Sequence, residues 1–207
     1  ARARAVTGTP HLVRSLVQMD EPDHMKYRLL TQAWFMPANV KKREADVRLL
    51  ARQAVDQFAA MPSRCDFVKD VALHYPLRVV MNILGVPEAD FGRMLRLTQE
   101  LFGASDPDTE RFKAALSDEQ FAQLLIGVVQ DFTDYFEQIT ADRRAHPRDD
   151  LATLLANAEI DGAPLPPFER TGYYTIIATA GHDTTSSSTA GAMWALATQP
   201  GLFDRVR

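Results

Sequence analysis

Apolar residues recur along most of the chain at steps of three and four, and the interruptions fall at Pro, Gly and acidic turn residues. This period predicts a succession of helices and almost no strand. The first helix is expected over about residues 21–35. It opens on Glu21-Pro22-Asp23, where acids and an early proline suit a helix start, and Met36-Pro37 should end it. A second pattern spans about 39–60, with Val47, Leu50, Ala54 and Phe58 towards one side and Pro62 closing it. Residues 66–84 read as helix in two parts split at Pro76. Gly85-Val86-Pro87 is a boundary. Pro87-Glu88-Ala89-Asp90 then starts a helix that reaches about Phe102-Gly103.

Residues 105–115 read as a loop rich in charge and turn residues. Ser117-Asp118-Glu119-Gln120 has capping-box spacing. Behind it, Phe121, Leu124, Leu125, Val128, Val129, Phe132, Phe136 and Ile139 form the clearest amphipathic stripe in the chain, read as core; that helix should end near His146-Pro147. Asp149-Asp150 opens a short helix to about residue 158, and residues 160–165 suit a turn or tiny hairpin. Pro166-Pro167 precedes a long helix over about 168–198, ended by Gln199-Pro200-Gly201. Tyr174, Ile177, Ala178, Met193, Trp194 and Leu196 are its expected packing residues.

Composition narrows the class. The 207 residues are 46% apolar and 24% charged, as in an ordinary globular protein. A formal charge of −4 without any Lys/Arg block makes nucleic acid an unexpected partner. The one cysteine, Cys65, allows neither an intrachain disulfide nor a thiolate zinc cluster, and it suits a cytoplasmic setting. The most apolar stretch, 173–197, contains His182 and Asp183, so it reads as a core helix rather than a membrane span. There is no initiator Met, and the apolar spacing that begins at residue 200 stops at once. Both ends are those expected of a fragment.

The long helix carries a local conflict. Gly181 costs about 1 kcal/mol relative to Ala in a helix interior. Asp183, Thr184, Thr185 and Ser186 to Ser188 compete for backbone hydrogen bonds. Small residues at Ala178, Ala180 and Gly181 leave room for a flat or bulky ligand. A Thr hydroxyl there either returns to the carbonyl four residues back or donates to the ligand, and Asp183 is placed to accept or relay a proton. The alternative is a helix–helix contact through small residues, with Asp183 facing solvent. His182 points either to such a pocket or to an adjoining helix.

A second constellation lies at His24 and Arg28, four apart on one helix face. That spacing suits an anion such as a carboxylate, which Arg grips bidentately. The alternative pairs His24 with an acidic neighbour and leaves Arg28 at the surface. His11, His74 and His146 show no metal-ligand spacing, so no residue is assigned to metal binding. No phosphate loop, dinucleotide fingerprint or hydrolase triad is present. Phe102, beside the 105–115 loop, is a candidate for a substrate entrance.

Ala180-Gly181-His182-Asp183-Thr184-Thr185 resembles the oxygen-activation motif of the cytochromes P450, Ala/Gly-Gly-x-Asp/Glu-Thr-Thr/Ser. Asp20-Glu21-Pro22-Asp23-His24-Met25-Lys26-Tyr27-Arg28 resembles the family's Asp-x-Pro-x-His-x-x-x-Arg helix opening, and Phe35-Met36-Pro37 its following Phe-x-Pro. Leu84-Gly85-Val86-Pro87 and Asp161-Gly162-Ala163-Pro164-Leu165 are similar to soluble bacterial members, in the same order. The resemblance implies a mainly α, partial P450 fold over residues 1–207. It implies a haem-dependent monooxygenase parent acting on a small apolar organic substrate, with ferredoxin or a similar redox partner. Thr184 would act on iron-bound oxygen and Asp183 on proton delivery. Ala180 and Gly181 would lie over the haem face, with His24 and Arg28 on its propionates.

The resemblance also implies what is not in these 207 residues: the section before the His/Arg helix, the Glu-x-x-Arg motif and the cysteine loop that ligates iron. Cys65 stands in the wrong context for that ligand and reads as a partly buried small residue. The isolated chain is therefore expected to lack normal monooxygenase activity. Two other readings stay open at this level. One is a non-enzymatic helical binding or regulatory domain. The other is an unrelated helical enzyme using Asp183.

Overall fold

A computed structural model of the protein describes residues 11–102 and 117–207. The loop expected over 105–115 and the side chain of Phe102 lie outside the described residues. Helices dominate: α1 (Asp23–Gln32), α2 (Pro37–Lys42), α3 (Glu44–Ala59), α4 (His74–Leu84), α5 (Phe91–Phe102), α6 (Asp118–Ala145), α7 (Leu151–Ala156), α8 (Pro167–Ala180), α9 (Asp183–Thr198) and α10 (Leu202–Val206). A π-helical turn, Val68–Ala72, precedes α4. The two-residue strands β1 (Glu159–Ile160) and β2 (Ala163–Pro164) pair antiparallel. Asp161 and Gly162 both have positive φ, 52° and 79°, as a tight two-residue hairpin requires.

Several elements form for the reasons the sequence suggests. Ser117 caps α6, accepting from the Gln120 amide at 3.3 Å, while the Gln120 side chain accepts from the Ser117 amide at 2.9 Å. Asp150 caps α7, taking the Thr153 amide at 2.8 Å. Gly85, left-handed at φ 77°, ends α4.

Three boundaries differ from the pattern. The break within 66–84 falls at Leu73, and Pro76 sits in the first turn of α4, where its missing N–H belongs to a group no intrahelical acceptor would satisfy. The expected helix over 39–60 begins earlier and is divided at Arg43. The long helix over 168–198 is two helices, interrupted at Gly181 and His182.

The core lies where α4, α5, α6 and α8 meet. Leu77, Met81 and Leu84 of α4, Met94 and Leu97 of α5, and Val128, Phe132 and Phe136 of α6 are buried together. Each such side chain contributes roughly 1.5–3 kcal/mol of burial. Phe136 stacks on Tyr174 of α8, centroids 4.4 Å apart. Tyr174 is burdened by this burial, and its phenol pKa is pushed up to about 12.

The N-terminal helix is clamped onto α8. Arg14 bonds Glu169 at 2.9 Å and also Asp23, and the Tyr173 hydroxyl donates to the Tyr27 carbonyl. Gly172 is tight against the backbone of Arg14, and a Cβ there would collide with it. These contacts fix α1 against the first half of α8.

By contrast, α9 buries only Ser186. Trp194, expected as a packing residue, is 67% exposed; the described residues place no apolar layer on its side of the helix. Phe58, at the end of α3, is partly exposed and meets the Phe67 ring edge-on, centroids 5.6 Å apart.

Candidate active site

The break between α8 and α9 is held by short backbone and hydroxyl bonds. The His182 amide returns to the Thr179 carbonyl, three residues back, at 3.2 Å. Thr184 Oγ1 donates to the Ala180 carbonyl at 3.0 Å and Ser186 Oγ to the His182 carbonyl at 2.9 Å. Such bonds let polar residues sit in an apolar helix and bend it. Gly181 also allows a close approach: a Cβ there would lie 2.8 Å from Val80 Cγ2 of α4.

A groove of about 510 Å³ opens beside this break. Arg28 lies on one wall, Val80 and Ile83 on a second, and Ile177, Ala180 and Gly181 on a third. The lining is overwhelmingly apolar. Arg28 is exposed at the edge of this groove, as the surface alternative expected, and among the described residues it forms no hydrogen bond or ion pair.

The structure thus brings together three of the six site residues expected from sequence: Arg28, Ala180 and Gly181. His24, one turn before Arg28 on α1, is half-buried, with Nδ1 3.8 Å from Glu21 Oε1. Asp183 is half-buried and Thr184 is exposed at the start of α9; neither lines the groove. Cys65 is exposed in the segment between α3 and the π-helical turn, which corrects the expectation of a partly buried side chain. Its neighbours Arg64 and Asp66 are also exposed, so no apolar layer reaches it. Among the described residues no group of three His, Cys, Asp or Glu is arranged to hold a metal ion.

His182 turns away from the groove to the adjoining segment. It is 1% exposed, and Nε2 lies 2.9 Å from the Leu73 carbonyl oxygen. Burial holds its pKa below the usual histidine value, against the opposing pull of the Leu73 carbonyl and Asp183. Val80, Ile83 and Thr31 join the site without any motif. Their period marks them only as packing positions, and nothing local distinguishes a groove wall from a core face.

No family model matches the chain. Its sequence is 45% identical over 194 residues to cytochrome P450-terp of a Pseudomonas species, covering 93% of this chain and 45% of that protein. It is 31% identical to the methyl-branched lipid omega-hydroxylase of Mycobacterium tuberculosis, covering 95% of this chain and 45% of the relative. The crystal structure of CYP108D1 from Novosphingobium aromaticivorans superposes with a TM-score of 0.80 at 48% identity, over 99% of this chain and 46% of the other. The class that this fold and groove define is a mainly helical core with a ligand-sized apolar groove. In sequence and fold the chain matches the bacterial cytochrome P450 family, and it spans about half the length of the curated relatives it matches. No helix among the described residues is long and apolar enough to cross a membrane.

Proposed function

We propose that residues 1–207 form part of one cytochrome P450 domain, the oxygen side of its haem pocket, and that the whole protein is a monooxygenase. It would insert one oxygen atom from dioxygen into a small apolar organic substrate. The observation that carries this reading is the groove whose lining includes Arg28 together with Ala180 and Gly181. Its volume lies in the range of cofactor sites. Its walls suit a flat apolar group, and its unpaired cation suits an anionic edge. Haem fits that description, with two carboxylates on one edge of an apolar ring.

When bound and ligated by a cysteine, haem supplies the dioxygen chemistry that amino-acid side chains lack. This chain contributes the surroundings. Arg28 supplies paired N–H donors for a propionate, and His24, one turn away on α1, is placed to add another. Ala180 and Gly181 keep side-chain bulk off the face of the ring. The Thr184 hydroxyl has a hydrogen bond to exchange: it now donates to the Ala180 carbonyl, and releasing that acceptor would free it to donate to a water or a polar group at this break. Asp183, its neighbour, is the carboxylate that holds or passes the proton.

Val80, Ile83 and Ile177 favour an apolar substrate. Relatives named as a methyl-branched lipid omega-hydroxylase and as steroid C26-monooxygenases support the same class. Family resemblance supports a ferredoxin or similar electron donor. The single cysteine supports a cytoplasmic setting.

The test is a carbon monoxide difference spectrum of the reduced intact protein, followed by turnover of apolar substrates with a ferredoxin system. A thiolate-type band and an oxygenated product are expected. A folded, haem-loaded protein without either overturns the reading. The 207-residue chain alone is expected to give no such band, because its one cysteine is outside the groove lining.

A further inference from the structure

His182 occupies the position inside the polar break that the proton chemistry leaves unused. Its ring is among the most buried polar groups of the described residues, and it reaches across 109 residues of sequence to the Leu73 carbonyl. A carbonyl only accepts, so Nε2 carries the hydrogen, and the uncharged ring then leaves a lone pair on Nδ1. That Nδ1 is buried and has no hydrogen-bond partner among the described residues. A polar side chain here is therefore held at a cost, for the sake of one bond.

Leu73 is the residue between the π-helical turn and α4. Its position is fixed by its own amide, which donates to the Val68 carbonyl at 3.1 Å. Ser186 stands four residues after His182, so the two share a helix face. Ser186 is the one buried residue of α9, and its hydroxyl bonds the His182 carbonyl. Thr184 falls about 200° around the helix from His182, on the far side. Anchoring one face sets the direction of the other.

We infer that His182 is a positioning residue: its Nε2–H bond to Leu73 fixes the rotation of α9 about its axis and thereby aims Asp183 and Thr184. This rests on the proposed oxygen-side role of those two residues, but the tether itself is a property of the polypeptide. His74 of α4 and Asp183, the next residue in the chain, are the titratable groups whose charge acts on the ring. Neither replaces the Leu73 bond.

Two variants of the intact protein test it. H182L keeps a buried apolar side chain and removes the donor; H182Q returns an N–H at nearly the same reach. Hydrogen–deuterium exchange over 180–186 should rise roughly five-fold in H182L, as expected for one lost hydrogen bond, with α6 unchanged. H182Q should bring exchange back towards wild type. In turnover, H182L should lower product formed per electron consumed, with substrate affinity kept, and H182Q should restore it. Wild-type exchange in H182L, or equal loss in both variants, overturns the tether. If exchange responds while product per electron does not, the aiming role is overturned. A wild-type protein that binds haem without a thiolate band or product instead overturns the monooxygenase reading, and leaves the exchange result to judge His182.

Discussion

Nε of Arg143 donates to Oδ2 of Asp150 at 2.7 Å, and the two side chains are only 1% and 7% exposed. The pair joins the end of α6 to the cap of α7. Arg143 also donates to the Gly85 carbonyl at the end of α4. Three elements of the core therefore meet on one guanidinium. Replacing Asp150 with Ala leaves the buried Arg143 with Asp142 as its remaining carboxylate and removes the α7 cap. The expected loss is about 2 kcal/mol, from one charge-assisted hydrogen bond and the cap. Urea denaturation of the intact protein should show it as a lower midpoint.

Arg28 tests the groove. Replacing it with Gln keeps the length and the apolar stem but removes the charge. Haem affinity should fall about tenfold, the scale of one charge-assisted hydrogen bond, while the helical circular dichroism is unchanged. Haem-to-protein ratio after gel filtration, or a titration with haem, reads the difference. Replacing His24 should act in the same direction and less strongly, since it already has Glu21 nearby and does not line the groove.

Thr184 separates chemistry from stability. It is exposed, and its hydroxyl bonds only the Ala180 carbonyl among the described residues. Thr184→Ala should change stability by less than about 1 kcal/mol. In the intact protein it should nevertheless cut the yield of product per electron consumed. Equal yield in wild type and variant would remove Thr184 from the proposed mechanism.

Two histidines give the fold a pH dependence. Burial lowers the pKa of His182, and burial followed by Arg78 lowers that of His74. The unfolded chain takes up these protons near pH 6.5, whereas the folded chain binds them only at lower pH. The unfolded state thus holds more protons in that window, and stability rises with pH across it. Full stability is expected above about pH 7, with a decline as pH falls through 6.5. Urea midpoints at a series of pH values should show this slope, and H182Q should reduce it.

Much of this was legible in the sequence, where a feature depends on near neighbours. The cap pairs at Ser117 and Asp150 and the turn at Asp161-Gly162 are written in three or four residues each. The break near Gly181 was legible as a conflict between helix period and polar residues, although not as two separate helices. Pro76 misled because a proline has opposite meanings in the first turn and in the interior of a helix, and only the turn before it decides which applies. Trp194 and Met193 carry a helical period that says which residues share a face, not whether anything covers that face. For the site, motifs marked Arg28 and Ala180, but their meeting in one groove depends on the Arg14 and Tyr173 clamps between α1 and α8. Val80 carried only a packing period and no sign of the groove.

The chain has two tryptophans, and their settings differ sharply. Trp34 is half-buried, with the Arg43 guanidinium 5.0 Å from its ring, whereas Trp194 lies open on α9. Trp194 is therefore a natural optical probe of that helix. In the open setting its fluorescence is red-shifted and readily quenched by iodide. Any structure that settles over α9 would move the emission to the blue and shield it, while Trp34 serves as the internal reference.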